Sequence, residues 1–394
     1  MKRKCKNIVV VLLCVILSVI SVGCGKPQNG NVESSGAENG SVDGSAASGQ
    51  ADKGQQIPMD GMKIAIVSSP SGVDDNGFNK NIYDGILAFI ADNPESSITP
   101  VKEPSGDVAS AVQAVADIVA DYDVIVCCGF QFAGIAELAE ENPEVSFILV
   151  DSYPVDASGN EVMVDNIYAM LFKEQESGFC VGVAAALETK SGKVAVVNGV
   201  AYPSNVNYQY GFMSGVAYAN EQYGTSAEIV ELPSYAGIDS TGTPVGGNYV
   251  GSFSDEATGK VLGQALIDQG CDVIFVVAGA SGNGVFTAAK EAGNVFCIGG
   301  DVDQFDDGVS GSSNIILTSS LKIMDKNVEE QLHKIKNGTF QGENALLGAD
   351  TDSTGYVKAR GRHQLSEDTI TKMDEAFAKV KSGEVVPATA NPEE

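Results

Sequence analysis

The segment VDDNGFN, residues 73–79, puts two adjacent carboxylates, two amides and one phenyl ring between the apolar run MKIAIV and the helical pattern KNIYDGILAFIA. A carboxylate accepts hydrogen bonds, an amide both donates and accepts, and a phenyl ring offers an apolar face. Together they suit a flat heterocycle with polar edges. The same Asp74–Asp75–Asn76–Gly77 run also reads as a turn leading into a helix N-cap, which selects these residue types by itself and leaves Phe78 to the core. A second polar loop, AGASGNG at 278–284, lets backbone amides approach an anion or a polar uncharged ligand, but it matches neither nucleotide-binding glycine spacing and also serves as a plain strand-to-helix turn.

Catalytic chemistry finds little footing. The only histidines are His333 and His363, far in sequence from these loops, so a Ser/His/Asp or Cys/His arrangement is not to be built from them. No CxxC occurs, and no metal or other cofactor is implied. Of the eight cysteines, Cys5, Cys14 and Cys24 precede the body, and the other five sit in apolar or glycine-rich settings that predict buried free thiols.

The elements that must carry these loops are legible. Runs at 63–67, 123–129, 146–151, 193–199, 228–232, 272–279, 295–300 and 314–319 alternate with amphipathic stretches such as SAVQAVADIVADY and GKVLGQALIDQG. That alternation predicts an α/β fold of parallel sheets covered by helices on both faces. Ligands of such sheets collect beyond the carboxyl ends of the strands. Five polar loops fall there: SSPSGVDDNGFN, GFQF at 129–132, DSYP at 151–154, AGASGNG, and GGDVDQ at 299–304.

Before the body, residues 1–23 have four cations ahead of an apolar core, the design of an export signal. Cys24 follows Ser21–Val22–Gly23 in the manner of a bacterial lipobox and is expected to carry a lipid. Residues 24–59 are poor in large apolar side chains and read as a tether. About 330 residues remain, enough for two lobes. The formal charge of −28 argues against nucleic acid and anionic lipid surfaces as partners.

From Lys63 to Val386 the ordered set DDNGFNKNIYDGI, GFQFAGIAELAEENPEVSFILVD, SGFCVGVAAALETKSGKVAVVNG, NYQYGFMSGVAYAN, DQGCDVIFVVAGASGNGVFTAAKE, IGGDVDQ and ILTSSLK resembles the basic membrane protein family of bacterial lipoproteins, the nucleoside-binding components of ABC importers. The resemblance implies a type I periplasmic-binding-protein-like fold: two Rossmann-like lobes, 60–170 with 301–345 and 171–300 with 346–394, joined by a hinge. It implies a non-enzymatic monomer, anchored to the cell membrane through Cys24 on the extracytoplasmic face, that delivers a nucleoside, a purine nucleoside by preference, to permease subunits. It implies Phe78 and Tyr208 stacking on the base, Asp75 and Asn79 at its polar edge, Asp301 and Lys322 on the ribose, and Gly279 and Asp151 beside them. Tyr208 stands where phenylalanine is commoner, Tyr210 lies close by, and the stretch 233–251 is longer than the family pattern. The same architecture would also accommodate riboflavin, a free base, a sugar or a signalling molecule. Competing readings are an exported nucleoside-processing or nicotinamide-dependent enzyme, and an adhesive surface protein.

Overall fold

Strand residues of the first lobe alternate between two cores. Ile64, Ile66, Val124, Val126 and Ile148 pack on one face of the sheet, and Ala65, Val67, Ile125, Phe147 and Leu149 on the other. This period of two, with both faces buried, is what the continuous apolar runs require. The structure, a computed structural model, describes Met59 and residues 61–389. The signal, Cys24 and the tether lie outside the described residues, Met59 excepted.

The first lobe is built from β1 (Lys63–Ser68), α1 (Phe78–Asp92), β2 (Ser97–Lys102), α2 (Val108–Ala116), β3 (Val124–Cys128), α3 (Ala136–Glu141), β4 (Ser146–Val150) and β5 (Ile167–Phe172). The chain then crosses over. The second lobe begins with α4 (Glu174–Glu188), β6 (Lys193–Asn198), α5 (Pro203–Tyr223) and β7 (Glu228–Ile229), followed by a hairpin of β8 (Gly237–Ile238) and β9 (Pro244–Gly246). It continues through α6 (Glu256–Asp268), β10 (Val273–Val277), α7 (Gly282–Ala292), β11 (Phe296–Gly299), a small hairpin of β12 (Val309–Ser310) and β13 (Ser313–Asn314), and β14 (Ile316–Lys322). Helix α8 (Met324–Lys336) and β15 (Glu343–Leu347) return to the first lobe, and β16 (Thr354–Tyr356) and α9 (Glu367–Lys381) to the second.

The strand orders are β15-β5-β4-β3-β1-β2 and β16-β14-β11-β10-β6-β7. Every pairing in the first sheet is parallel, and in the second only β14–β16 is antiparallel. Cys127, Cys128, Cys180, Cys271 and Cys297 are free and buried, as their surroundings in the sequence predict.

One boundary needs correction. Residues 301–322 were expected in the first lobe, but β14 pairs with β11 and β16, so the second crossing falls at Ile323. The run ILTSSLK reads as a strand leaving a lobe, yet its buried face completes the second sheet before the chain departs.

The three crossings are tied to one another. Lys173 N donates to Leu347 O at 2.8 Å and Ile323 N to Ser353 O at 2.9 Å. Glu176 accepts from Ala349 N at 2.6 Å and from the Thr354 hydroxyl at 2.8 Å. Beyond this hinge, α4 and α5 touch through their backbones: a Cβ on Gly182 would lie 2.3 Å from Phe212 O, and one on Gly215 2.0 Å from Phe179 O. Only glycine permits that approach.

Candidate functional site

The carboxyl ends of β1, β3 and β4 in one lobe face those of β6, β10, β11 and β14 in the other across a cavity of ≈ 370 Å³. This is at the small end of the range of about 300–1,000 Å³ for small-molecule sites. All eight residues singled out in the sequence border it: Asp75, Phe78, Asn79, Asp151, Tyr208, Gly279, Asp301 and Lys322. Each of the five polar loops contributes at least one wall residue.

The roles differ from those the resemblance implies. Asp75 Oδ1 accepts from the amides of Gly77 and Lys80, both at 3.0 Å, and Oδ2 from Asn79 N at 3.1 Å and Asn79 Nδ2 at 2.7 Å. Its lone-pair positions are taken by the first turn of α1. Asp75 thus shapes the turn that leads into α1, whose N-cap position is Gly77. Asn79 is likewise engaged, accepting from Ser69 N at 3.1 Å and donating to Ser69 Oγ at 2.9 Å.

Phe78 is half-buried at the cavity wall, whereas Tyr208 is only 1% exposed. The Tyr208 ring lies edge-on to Phe275 at 5.7 Å, and its hydroxyl donates to Asp301 Oδ1 at 2.9 Å. A ring held this way has little face to offer. The second lobe's accessible aromatics are instead Phe253 and Tyr202, with Phe130 of the first lobe against Tyr202 at 5.3 Å. The Phe253 ring lies over Gly199, where a Cβ would come within 2.2 Å. Its carbonyl accepts from Ser281 N and, across the cleft mouth, from the Ser71 hydroxyl, both at 3.1 Å. The Ser281 hydroxyl donates to Ser252 O at 2.9 Å. Phe253 escaped sequence reasoning because GSFSDE has no periodicity; the signal that could have found it is a lone large ring in a serine and glycine loop. The stretch 233–251 divides in two: its hairpin is at the surface, while Val250 and Gly251 pair alongside Asn198 and Gly199 and bring Phe253 to the mouth.

The polar end of the cavity gathers around Lys322, the last residue of β14 and 2% exposed. Its ammonium is 2.7 Å from Asp151, 3.3 Å from Glu174 and 3.7 Å from Asp301. It also lies 5.2 Å from the Phe78 ring centroid and 5.8 Å from that of Tyr208, within cation–π range. Burial opposes its charge, but Asp151, Asp301 and Glu174 together raise its pKa far above the ordinary lysine value. Burial raises Asp151 and lifts Glu174 to about 7, against the pull of Lys322. Asp151 and Asp301 both adopt left-handed backbone conformations, with φ of 64° and 65°, uncommon for a residue with a Cβ. Asp151 Oδ1 is buried with no hydrogen-bond partner among the described residues, which is costly unless something else donates to it.

The sequence profile of the PnrA-like ABC transporter substrate-binding proteins, the Bmp family, matches residues 62–232 and 241–389. The chain belongs to that family. Members are extracytoplasmic substrate-binding proteins, and the gap in the match, 233–240, falls on the turn and first strand leading into the surface hairpin. Among Bmp relatives, the CD4+ T-cell-stimulating antigen of Listeria monocytogenes is 28% identical over 338 residues, covering 82% of this chain and 87% of its own. The ABC transporter nucleoside-binding protein BmpA of Lactococcus lactis is 27% identical over 343 residues, covering 82% and 86%. The crystal structure of an ABC transporter solute-binding protein from Aeropyrum pernix superposes with a TM-score of 0.69 at 23% identity, covering 84% of this chain and 94% of that one. The fold is thus that of the type I periplasmic binding proteins, as expected from the sequence.

Proposed function

We propose that this Bmp protein binds nucleosides, purine nucleosides by preference, and presents them to ABC permease subunits. The observation that carries this reading is the pairing, within one cavity, of half-buried aromatic rings from both lobes with a carboxylate–ammonium–carboxylate end. Phe78 from the first lobe and Phe253 with Tyr202 from the second supply the faces, and stacking on one such ring is worth about 1–3 kcal/mol per base. Asp151 and Asp301 accept from the ribose hydroxyls while Lys322 donates to them. Gly279 leaves room beside Phe253, and Asp75 and Asn79 hold Phe78 in place. The nucleoside-binding designation of the Lactococcus relative is consistent with this ligand class. The chain acts as a monomer held to the membrane by a lipid on Cys24 and does no chemistry on what it binds.

A thermal-shift panel of nucleosides, free bases, sugars and riboflavin tests the reading. A ligand at about 100 times its dissociation constant adds about 2.7 kcal/mol. Purine nucleosides should give the largest shift, and a shift from sugars or riboflavin alone would overturn the assignment. Inosine recovered intact by chromatography after prolonged incubation separates binding from hydrolysis.

A further inference from the structure

Lys322 has more carboxylate partners than a single ammonium can serve equally. Asp151 closes β4 in the first lobe, whereas Glu174 opens α4 and Asp301 follows β11, both in the second. Glu174 is 1% exposed and does not border the cavity. Its Oε2 accepts from Asn207 Nδ2 on α5 at 3.2 Å. Glu174 and Lys322 are therefore held within one lobe, braced by the backbone contact of α4 with α5. Asp151 reaches Lys322 only from across the cleft, and at 2.7 Å it holds the ammonium more closely than Glu174 does at 3.3 Å.

We propose that Glu174 is the partner to which Lys322 returns when the lobes part, so that closing the cleft on a ligand shifts the ammonium towards Asp151 and leaves Glu174 to take up a proton. The proton comes from solvent, and an O–H bond on the Glu174 carboxyl is the only bond formed. This positioning role rests on the nucleoside reading only for the choice of probe. The groups that face Glu174 are Lys322 from β14, Asp151 from the end of β4, and Asn207 and Tyr208 from α5, with Asp301 acting through Lys322. With the lobes together, burial and the nearby Asp151 charge outweigh Lys322 and lift Glu174 to about 7. With Asp151 withdrawn, its charge no longer raises Glu174 and Lys322 is shared with Asp301 alone, so Glu174 falls below that value while it stays buried in the second lobe. The closed form then binds more protons than the open form near pH 7, so affinity strengthens as pH falls from 8 to 6 and weakens as it rises through 7. His333 is on α8 beside Glu329 and Phe89, away from the cluster.

Calorimetry of the full chain with inosine at pH 6 and pH 8 tests the exchange. Expected are an affinity a few-fold tighter at pH 6 than at pH 8, tenfold at most, and, from two buffers of different ionisation heat at pH 7, uptake of a fraction of a proton per ligand. Glu174→Gln, which mimics the protonated side chain, should bind with the same affinity at both pH values. Equal or weaker binding at pH 6, proton release, or a pH dependence that survives undiminished in E174Q would overturn the proposal. Should E174Q fail to fold, proton uptake by the unaltered chain decides alone. Should inosine bind at neither pH, the ligand assignment fails by itself. Small-angle scattering of the unliganded chain then judges Glu174: a smaller radius at pH 6 than at pH 8 supports the exchange, and an unchanged one refutes it.

Discussion

The Tyr208 hydroxyl donates to Asp301 Oδ1 at 2.9 Å, bridging the second turn of α5 and the turn after β11. Asp301 holds a left-handed conformation there, and this bond orients its carboxylate towards the cavity. Tyr208→Phe keeps the ring and removes the bond. Bonds to charged groups are worth about 1.5–3 kcal/mol, so purine nucleoside affinity measured by calorimetry should fall at least tenfold. A purely stacking Tyr208 would leave it unchanged.

Asp151 presents one oxygen to Lys322 and leaves the other without a partner among the described residues. Asp151→Asn retains the shape but weakens the acceptor and the ion pair together. Inosine binding is expected to drop by about 10- to 100-fold, with a smaller loss for a free purine base, which has no ribose to present. Equal losses for both ligands would make Asp151 a structural residue only.

Phe78 and Phe253 approach the cavity from different lobes, and neither is fully buried. Phe78→Ala and Phe253→Ala should each cost about 1–3 kcal/mol in affinity for a nucleoside while changing the melting of the unliganded chain much less. Melting curves that collapse before any ligand is added would instead place these rings in the core.

The seam between α4 and α5 predicts stability rather than binding. Gly182→Ala and Gly215→Ala force a methyl into a backbone carbonyl, and urea unfolding should show losses of about 1–3 kcal/mol. At Gly355 a Cβ meets nothing within 4 Å, and the same substitution there should stay within about 0.5 kcal/mol.

Much of this arrangement is legible in the sequence because β1, β3, β4, β6 and β10 are buried on both faces and announce themselves as unbroken apolar runs. The loops after them had to meet, and the eight marked residues do share one cavity. Strands at the margins are harder to read. In β2 most side chains are exposed and Pro100 interrupts the pattern, and β15, ENALL, is made of good helix formers that pair as a strand only because β5 offers an edge. Glu174 looks like an ordinary acidic residue in the first turn of a helix. Nothing local reveals that Lys322, 148 residues later, folds against it.

The hairpin of β8 and β9 ends in a turn fastened by Asp239 Oδ1, which accepts from Thr241 N at 2.8 Å and Thr243 N at 2.9 Å, and residues 240–244 are exposed. The family match leaves out 233–240, so the approach to this turn, including β8, lies outside the shared pattern while the turn itself and β9 lie within it. A fluorescent or affinity tag spliced at Gly242, where no atom comes within 4 Å of an added Cβ, would travel with the protein as a reporter without touching the machinery beneath.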